Sequence, residues 1–330
     1  MGDLLGGWVP FPAAGYLAVA VGCALLTLLR RNYTLILLSF LLLGATSVQT
    51  GRLPGRAAAQ GWMEVRFAAA QKACTRRLES LLPEGSERAV IKALSIGDKR
   101  ELDRPTKQAY RASGASHLLA LSGLHVGILY KLLCALFLPF GGSRWMRRFR
   151  SVAVLGFLWF YALLSGMSPS ISRAVLMITI YEGAALANRP RDGWNALAIS
   201  ALLITLFNPE APREIGFQLS FCACLGIFAL YPHLKGLLRT RLRSLQAVWN
   251  GASLAIACQA ATALPAWIYF RSFPRYFLIT NLLTLPLVTA TLWLTVATLL
   301  FSVLGIPTKY AALLLQGCVR IMNLVVSATS

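Results

Sequence analysis

Long apolar segments recur from one end of the chain to the other, and they constrain the fold more than any other feature. A helix needs roughly 20 apolar residues to cross about 30 Å of hydrocarbon, and runs near that length follow one another along the 330 residues. The chain is 57% hydrophobic and only 13% charged, with a mean hydropathy of +0.62. An ordinary soluble domain does not have this composition. The sequence therefore predicts an all-α, polytopic integral membrane protein.

We expect about ten transmembrane helices. Residues 1–50 hold the first two, at about 11–29 and 33–48, as a hairpin around Arg30 and Arg31. The first has no basic start and no small-residue cleavage site, so it is predicted to be retained rather than cleaved as a signal peptide. A polytopic domain over residues 115–330 supplies the others, at about 117–140, 151–165, 171–187, 194–207, 216–231, 247–268, 277–303 and 310–328. Pro286 interrupts segment 277–303, which leaves a re-entrant loop as an alternative.

The loops between these segments differ in charge. If Arg30 and Arg31 are cytoplasmic, every second loop is rich in Lys and Arg, and the opposite loops after residue 115 carry only Arg213, Arg271 and Arg275. The positive-inside rule requires such an asymmetry. It places residues 51–114 and both termini outside the cytoplasm, and it makes much of the net charge of +20 a topology signal rather than evidence for nucleic-acid binding.

Residues 51–114 form the one soluble-looking region. Apolar residues recur there at helical spacing among many charges, which predicts amphipathic helices on the outer membrane surface. These helices are expected to contact either DNA or the anionic headgroups of membrane lipids, and the sequence leaves both open. The basic residues assigned to this contact are Arg76, Arg77, Arg88, Lys92, Lys99 and Arg100.

The stretch ASHLLALSGLHVGILY (Ala115–Tyr130) brings polar side chains into the first span of the polytopic domain. On one continuous helix, Ser122 and His125 lie opposite a stripe of small residues that permits close helix packing. That stripe consists of Ser116, Ala120, Gly123 and Gly127.

Ionisable groups at membrane depth are costly and therefore informative. Five ionisable side chains are predicted at membrane depth. Four of them can carry positive charge, which suits the binding or passage of an anion. Simpler alternatives are that Lys131 and Arg320 extend to the interface, that Arg173 caps a helix end, and that His125 only joins two helices. Glu182 lies on the face opposite Arg173 and is expected to find its partner in another span or in water. The five residues are His125, Lys131, Arg173, Glu182 and Arg320.

Motifs for catalysis are absent from the sequence. Three histidines cannot build a histidine-rich metal hydrolase site, no Gly-rich phosphate loop occurs, and Ser122 is not in a nucleophile elbow. The seven cysteines lie mostly in apolar runs and are expected to act as small apolar side chains. We therefore predict that the chain is not an enzyme and uses no metal or cofactor.

Four motifs follow one another along the chain, namely IGDKRELD (Ile96–Asp103), ASHLLALSGLHVG (Ala115–Gly127), GMSPSISRA (Gly166–Ala174) and NPEAPREIGFQLSFCA (Asn208–Ala223), and after them comes the pattern Pro265…Phe270…Asn281…Pro286. In order and spacing they resemble the ComEC competence-protein family, over roughly residues 85–300. The resemblance implies a bacterial inner-membrane channel that passes single-stranded DNA into the cytoplasm during natural transformation, while the other strand is degraded outside.

On this resemblance, the candidate residues of the DNA conduit are Ser122, His125, Arg173 and Gln218. A conduit for single strands needs spaced cations and polar groups without base-specific contacts. Expected partners are single-stranded DNA, membrane lipids, an extracytoplasmic DNA receptor and a cytoplasmic DNA motor, because the chain encodes no ATPase. The proton gradient is the alternative source of energy.

The sequence departs from the family in two respects. Residues 50–66 are too few for the OB-like domain that family members commonly carry, and no metallo-β-lactamase-like nuclease domain is present. The chain is therefore expected either to be part of a longer protein or to rely on a separate nuclease. Two other functions remain open from the residues alone, namely a secondary transporter for a small anion and a membrane scaffold for a surface assembly.

Overall fold

The computed structural model describes residues 56–119, 121–137, 143–208, 210–238, 240–270 and 277–329, so the predicted hairpin in residues 1–50 lies outside it. Within these ranges the chain is helical and contains no strand, which confirms the all-α prediction. The helices are α1 (Arg56–Leu81), α2 (Ser86–Ile96), α3 (Arg104–Ala112), α4 (Ser116–Leu119), α5 (Gly123–Leu136), α6 (Arg144–Leu164), α7 (Pro169–Leu186), α8 (Gly193–Phe207), α9 (Ile215–Ala229), α10 (Tyr231–Leu237), α11 (Arg243–Phe270), α12 (Phe277–Val303) and α13 (Lys309–Ala328), with a 3₁₀ turn at Ala211–Arg213.

Among the described residues, three helices are long and apolar enough to cross a membrane: α11, α12 and α13. Helices α9 and α10 together make a fourth candidate, bent by 44°. Helix α12 runs through Pro286 without a break, so segment 277–303 is one helix and not a re-entrant loop. The structure supports a membrane protein, while the count of ten spans stays a prediction.

The span expected at residues 117–140 is not one helix. It is divided into the single turn α4 and the 14-residue helix α5, and Ser122, with an extended backbone at φ −123°, is the N-cap between them. The expected small-residue stripe is therefore discontinuous, because Ser116 and Gly123 belong to different helices. A methyl group on Gly127 would meet no atom within 4 Å, so this glycine does not permit a close helix approach.

The described chain divides into two compact units. The first comprises residues 56–61, 176–208 and 210–221. In it, Asp192 caps α8 by accepting a hydrogen bond from Trp194 N at 2.9 Å, and the 3₁₀ turn packs against the same helix. Thr205 and Ala211 are buried at this end of α8.

The second unit comprises residues 62–175 and 222–329, with the gaps noted above. Helices α12 and α13 pack against each other along their length, and α2 lies against both. Every residue of α2 from Ala89 to Ile96 is buried. Helix α3 joins this core through the buried Tyr110, whose hydroxyl donates to Asn323 Oδ1 of α13 at 2.8 Å. Residues expected to lie on a membrane surface thus share one hydrophobic core with two apolar helices.

Candidate functional site

The start of α5 is built around a contact between Ser122 and His125. The backbone N–H of Ser122 donates to His125 Nδ1 at 3.3 Å, and the Ser122 hydroxyl lies 2.8 Å from the same nitrogen. This is the side-chain half of a capping box, with His in the position where Glu or Gln is usual. The break in the helix and the bond between the two predicted conduit residues therefore have one cause.

The hydrogen bond determines the state of the His125 ring. A backbone N–H can only donate, so Nδ1 must accept, and in a neutral ring the proton is then on Nε2. His125 is 0% exposed, and among the described atoms its Nε2 has no hydrogen-bond partner. An N–H donor is thus held inside the second unit without an acceptor, which is costly unless a ligand or water supplies one.

The same end of α5 contacts the first turns of α7. A methyl group on Gly123 would lie 3.3 Å from Ala174 Cβ, so the two helices approach closely at this glycine. The preceding residue on α7, Arg173, is buried and interacts electrostatically with Cys224 of α9. Ser122 and His125 on one side and Arg173 on the other thus lie within two residues of this approach, which itself joins Gly123 and Ala174.

Gln218 has a different role in the structure. It belongs to the first unit, where its amide Nε2 donates to the carbonyl of Pro212 at 3.0 Å. Asn208 Nδ2 donates to Glu214 Oε1 at 3.1 Å across the same turn, and Phe217 stacks on Phe221 with ring centroids 4.2 Å apart. The motif NPEAPREIGFQLSFCA thus folds onto itself, and Gln218 stabilises the turn before α9.

The other predicted intramembrane charges differ in burial. Lys131 on α5 and Arg320 on α13 are exposed, as expected for side chains that extend to an interface. Glu182 is 1% exposed, and its carboxylate is paired with Arg191 Nη2 at 2.7 Å. This ion-pair partner lies in the loop that follows the same helix, whereas the sequence predicted a partner from another span or from water.

The predicted outer cations differ in their surroundings. Arg76, Lys99 and Arg100 are exposed. Arg77 donates through Nε and Nη2 to the hydroxyl and carbonyl of Ser302, at the end of α12. Arg88 pairs with Glu84 at 3.4 Å and with Glu101 at 3.3 Å.

Lys92 departs from the expectation of an outward-facing cation. It is 2% exposed, and its ammonium lies 2.6 Å from Glu79, 2.7 Å from Glu101 and 3.8 Å from Asp98. The buried charge is thus compensated by carboxylates from α1 and from the turn after α2. Since α2 is buried along almost its whole length, its one lysine cannot reach an external polyanion in this structure.

The Lys92 cluster shifts the pKa values of its members. A hydrogen bond from Arg100 is the main reason that the pKa of Asp98 falls to about 2, with burial opposing it. The hydrogen bond from Lys92 lowers the pKa of Glu101. Burial alone would lower the pKa of Lys92, but the hydrogen bonds to Glu101 and Glu79 outweigh it and raise that pKa. All these shifts favour the charged forms of Lys92, Asp98 and Glu101.

A line of buried hydroxyl groups on α12 was not predicted from the sequence. The signal is present in the sequence as a helical spacing of three, four and seven residues. Three of these hydroxyls, on Thr284, Thr295 and Thr298, donate to a carbonyl four residues earlier, so the helix satisfies them internally. Nearby, Asn281 Oδ1 and the Ser253 hydroxyl are buried and have no hydrogen-bond partner in the described part of the chain. The line consists of Thr280, Thr284, Thr291, Thr295, Thr298 and Ser302.

No group of three or more His, Cys, Asp or Glu side chains that could hold a metal ion occurs in the residues that the structure describes.

Comparisons with known proteins agree with the motifs. Residues 94–330 match the sequence model of the family described as Competence protein. ComE operon protein 3 of Bacillus subtilis (strain 168) is 37% identical over 148 residues, which are 45% of this chain and 19% of the relative. The uncharacterized protein YcaI of Escherichia coli (strain K12) is 27% identical over 210 residues, 61% of this chain and 27% of that protein.

Competence protein ComA of Neisseria gonorrhoeae is 33% identical over 144 residues, 40% of this chain and 20% of the relative. The matched region thus spans between 19% and 27% of the length of these three proteins. No solved structure matches the chain.

Proposed function

Because this chain belongs to the competence protein family, we propose that it takes part in DNA uptake during natural transformation, as a conduit for single-stranded DNA across the bacterial inner membrane. The single observation that carries the conduit is the buried His125, whose Nε2 has no hydrogen-bond partner among the described atoms. Arg173, which is also buried, lies one residue from the close approach of α7 to α5.

The chemistry of these two side chains suits a phosphodiester. Each phosphate carries one negative charge and accepts hydrogen bonds, so a guanidinium and an N–H donor are complementary to it. Neither group reads a base, which is what a sequence-independent path requires. On this proposal, Arg173 supplies the charge and His125 supplies the donor, with Ser122 fixing the ring so that Nε2 carries the proton.

The proposal includes partners that this chain does not itself supply. An extracytoplasmic receptor delivers the DNA, a cytoplasmic motor or the proton gradient draws the strand inward, and a separate domain or protein degrades the other strand. The chain itself acts as a conduit and not as a nuclease.

Transformation frequency in a naturally competent host that carries this chain tests the conduit. His125→Ala and Arg173→Ala are expected to lower it, while the amount of protein and of DNA bound at the cell surface stays the same. Lys131→Ala and Arg320→Ala are matched controls, since both cations are exposed. Normal transformation in the His125 and Arg173 variants would exclude these residues from the path.

The buried Arg173 also favours a second candidate, a secondary transporter for a small anion. It predicts that the purified chain in liposomes takes up a small anion in response to an ion gradient. Arg173→Ala would then abolish uptake of that anion and leave transformation unchanged.

A further inference from the structure

A groove of about 430 Å³ opens on the second unit, and none of the residues assigned to the conduit lines it. Helix α1 forms one wall and the turn after α2 forms the other. This turn begins at Gly97, whose φ of 82° ends α2 in the left-handed region. The groove is lined by Gln71, Lys72, Thr75, Gly97, Asp98, Lys99 and Arg100.

The groove is cationic. Lys72 and Lys99 are exposed, and the Arg100 side chain is 77% exposed. Asp98 is the one carboxylate in the lining, and Arg100 binds it through Nε at 2.9 Å and Nη2 at 2.7 Å. Three cations and one carboxylate leave a formal charge of +2. The two lysines do not take part in the pair with Asp98, so their ammonium groups are available to an anion.

Neutral donors accompany these charges. The Thr75 hydroxyl is buried in the groove wall and has no hydrogen-bond partner among the described atoms. The Gln71 amide uses one N–H, which donates to the Ile96 carbonyl at 3.4 Å, and it keeps a second. Two ammonium groups with a hydroxyl and an amide make a donor set for the oxygens of a phosphate.

The side chains of the surrounding segment bear on whether the phosphate belongs to a lipid headgroup or to a polyanion in water. A helix that lies on a bilayer needs an exposed apolar face. Among the described side chains of residues 69–135, no large apolar residue is exposed, and the first one along the chain is Leu136. The described side chains of residues 69–135 therefore form no apolar face to insert among lipids, which favours a polyanion in water.

We propose that this groove binds the phosphodiester backbone of a DNA strand outside the conduit. The choice of DNA as the polyanion rests on the proposed function, whereas the anion site itself rests on the lining residues. Lys72 and Lys99 would each neutralise a phosphate charge, and the Thr75 hydroxyl would donate to a phosphate oxygen.

Binding of a fluorescein-labelled oligothymidylate to the full chain in phosphatidylcholine nanodiscs, followed by anisotropy over a salt series, tests this site. Each phosphate contact on a single strand contributes about 0.7 to the slope of log K against log salt, so K72Q/K99Q should lower that slope by about 1.4. R76Q/K107Q is the matched control, because it removes two exposed cations that do not line the groove. Thr75→Val keeps the charge and should weaken binding about tenfold.

Equal slopes for the groove pair and the control pair, or unchanged affinity of Thr75→Val, would overturn the assignment. A repeat in nanodiscs that contain phosphatidylglycerol separates DNA from lipid. The difference in slope between K72Q/K99Q and R76Q/K107Q should persist in these nanodiscs. If the difference disappears, the groove binds lipid headgroups instead. The conduit is judged by transformation of the His125 and Arg173 variants, so either proposal can fail without the other.

Discussion

Gly97 lies directly against Leu121, and a methyl group on the glycine would be 2.5 Å from Leu121 Cδ1. The two residues come from different motifs, IGDKRELD and ASHLLALSGLHVG, which the structure thereby joins. Gly97 also ends α2, where its N–H donates to the Ala93 carbonyl at 3.2 Å in the left-handed conformation. One glycine thus both stops the buried helix and receives the segment that leads into α5.

Gly97→Ala should therefore destabilise the protein. A left-handed backbone costs a residue with a side chain roughly 1–2 kcal/mol, before the contact with Leu121 is counted. Thermal unfolding in detergent measures the effect as a lower midpoint. Gly127→Ala is the control, because Gly127 is helical and an added methyl group would meet no atom within 4 Å. Alanine there should increase the free energy of unfolding by about 0.5–1 kcal/mol. A Gly97→Ala variant that melts with the wild type would contradict this role of the glycine.

The sequence was sufficient for the class of fold and for the family. Hydropathy predicts α11, α12 and α13 within a few residues, because their apolar runs are long and continuous. The motif match is confirmed by the family comparison. Apolar runs and motifs are properties of consecutive residues, so one sequence is enough to find them.

The arrangement around Ser122 and Lys92 depends on information that hydropathy does not contain. The run 117–140 is apolar enough on average to be predicted as one span, and the break before α5 is signalled only by a Ser followed three residues later by His. The burial of Lys92 requires that Glu79 and Glu101, from different elements, meet at its ammonium. Such long-range pairing follows from packing and not from the spacing of charges along the chain.

Replacing Lys92 should be much more disruptive than replacing an exposed lysine. Lys92→Met removes the compensating charge from the cluster, and breaking a buried pair typically costs about 3–5 kcal/mol. We expect about 2–3 kcal/mol here, because the Glu79 and Glu101 side chains are 37% and 34% exposed and regain water. Lys107→Met on the exposed surface of α3 is the control. Equal unfolding midpoints for the two variants would show that the Lys92 cluster does not stabilise the protein.

Stability should fall in acid because of Asp98. Its pKa is lowered from 3.8 to about 2, chiefly by the hydrogen bond from Arg100, so the unfolded chain takes up this proton before the folded chain does. The contribution is therefore complete above about pH 4 and is lost as the pH falls towards about 2. Glu101, whose pKa is also lowered, adds to the loss in the same direction.

Unfolding midpoints measured across this acid range in the wild type and in Asp98→Asn test the effect. The variant should show a shallower acid dependence, since asparagine does not titrate. Glu84→Gln should keep the wild-type dependence, because the Glu84 side chain is 91% exposed. If Asp98→Asn follows the wild-type curve throughout, the acid sensitivity originates elsewhere in the chain.

Glu182 and Arg191 form an ion pair, and their contributions to the stability of the protein should be strongly coupled. The Glu182 side chain is only 2% exposed, and Arg191, which is 34% exposed, also lies over the Tyr181 ring with its guanidinium 5.8 Å from the centroid. Arg191→Gln leaves a buried carboxylate without this ion pair, which should cost about 1–3 kcal/mol. Arg189→Gln, two residues earlier and exposed, should cost little.

A double-mutant cycle separates the ion pair from general effects of the substitutions. In E182Q/R191Q the buried carboxylate is gone, so the double variant should be more stable than the sum of the two single losses predicts. Thermal unfolding of all four forms in detergent gives the coupling. Additive losses would mean that Arg191 does not compensate Glu182, and that the short distance between their side chains contributes nothing to the stability of α7.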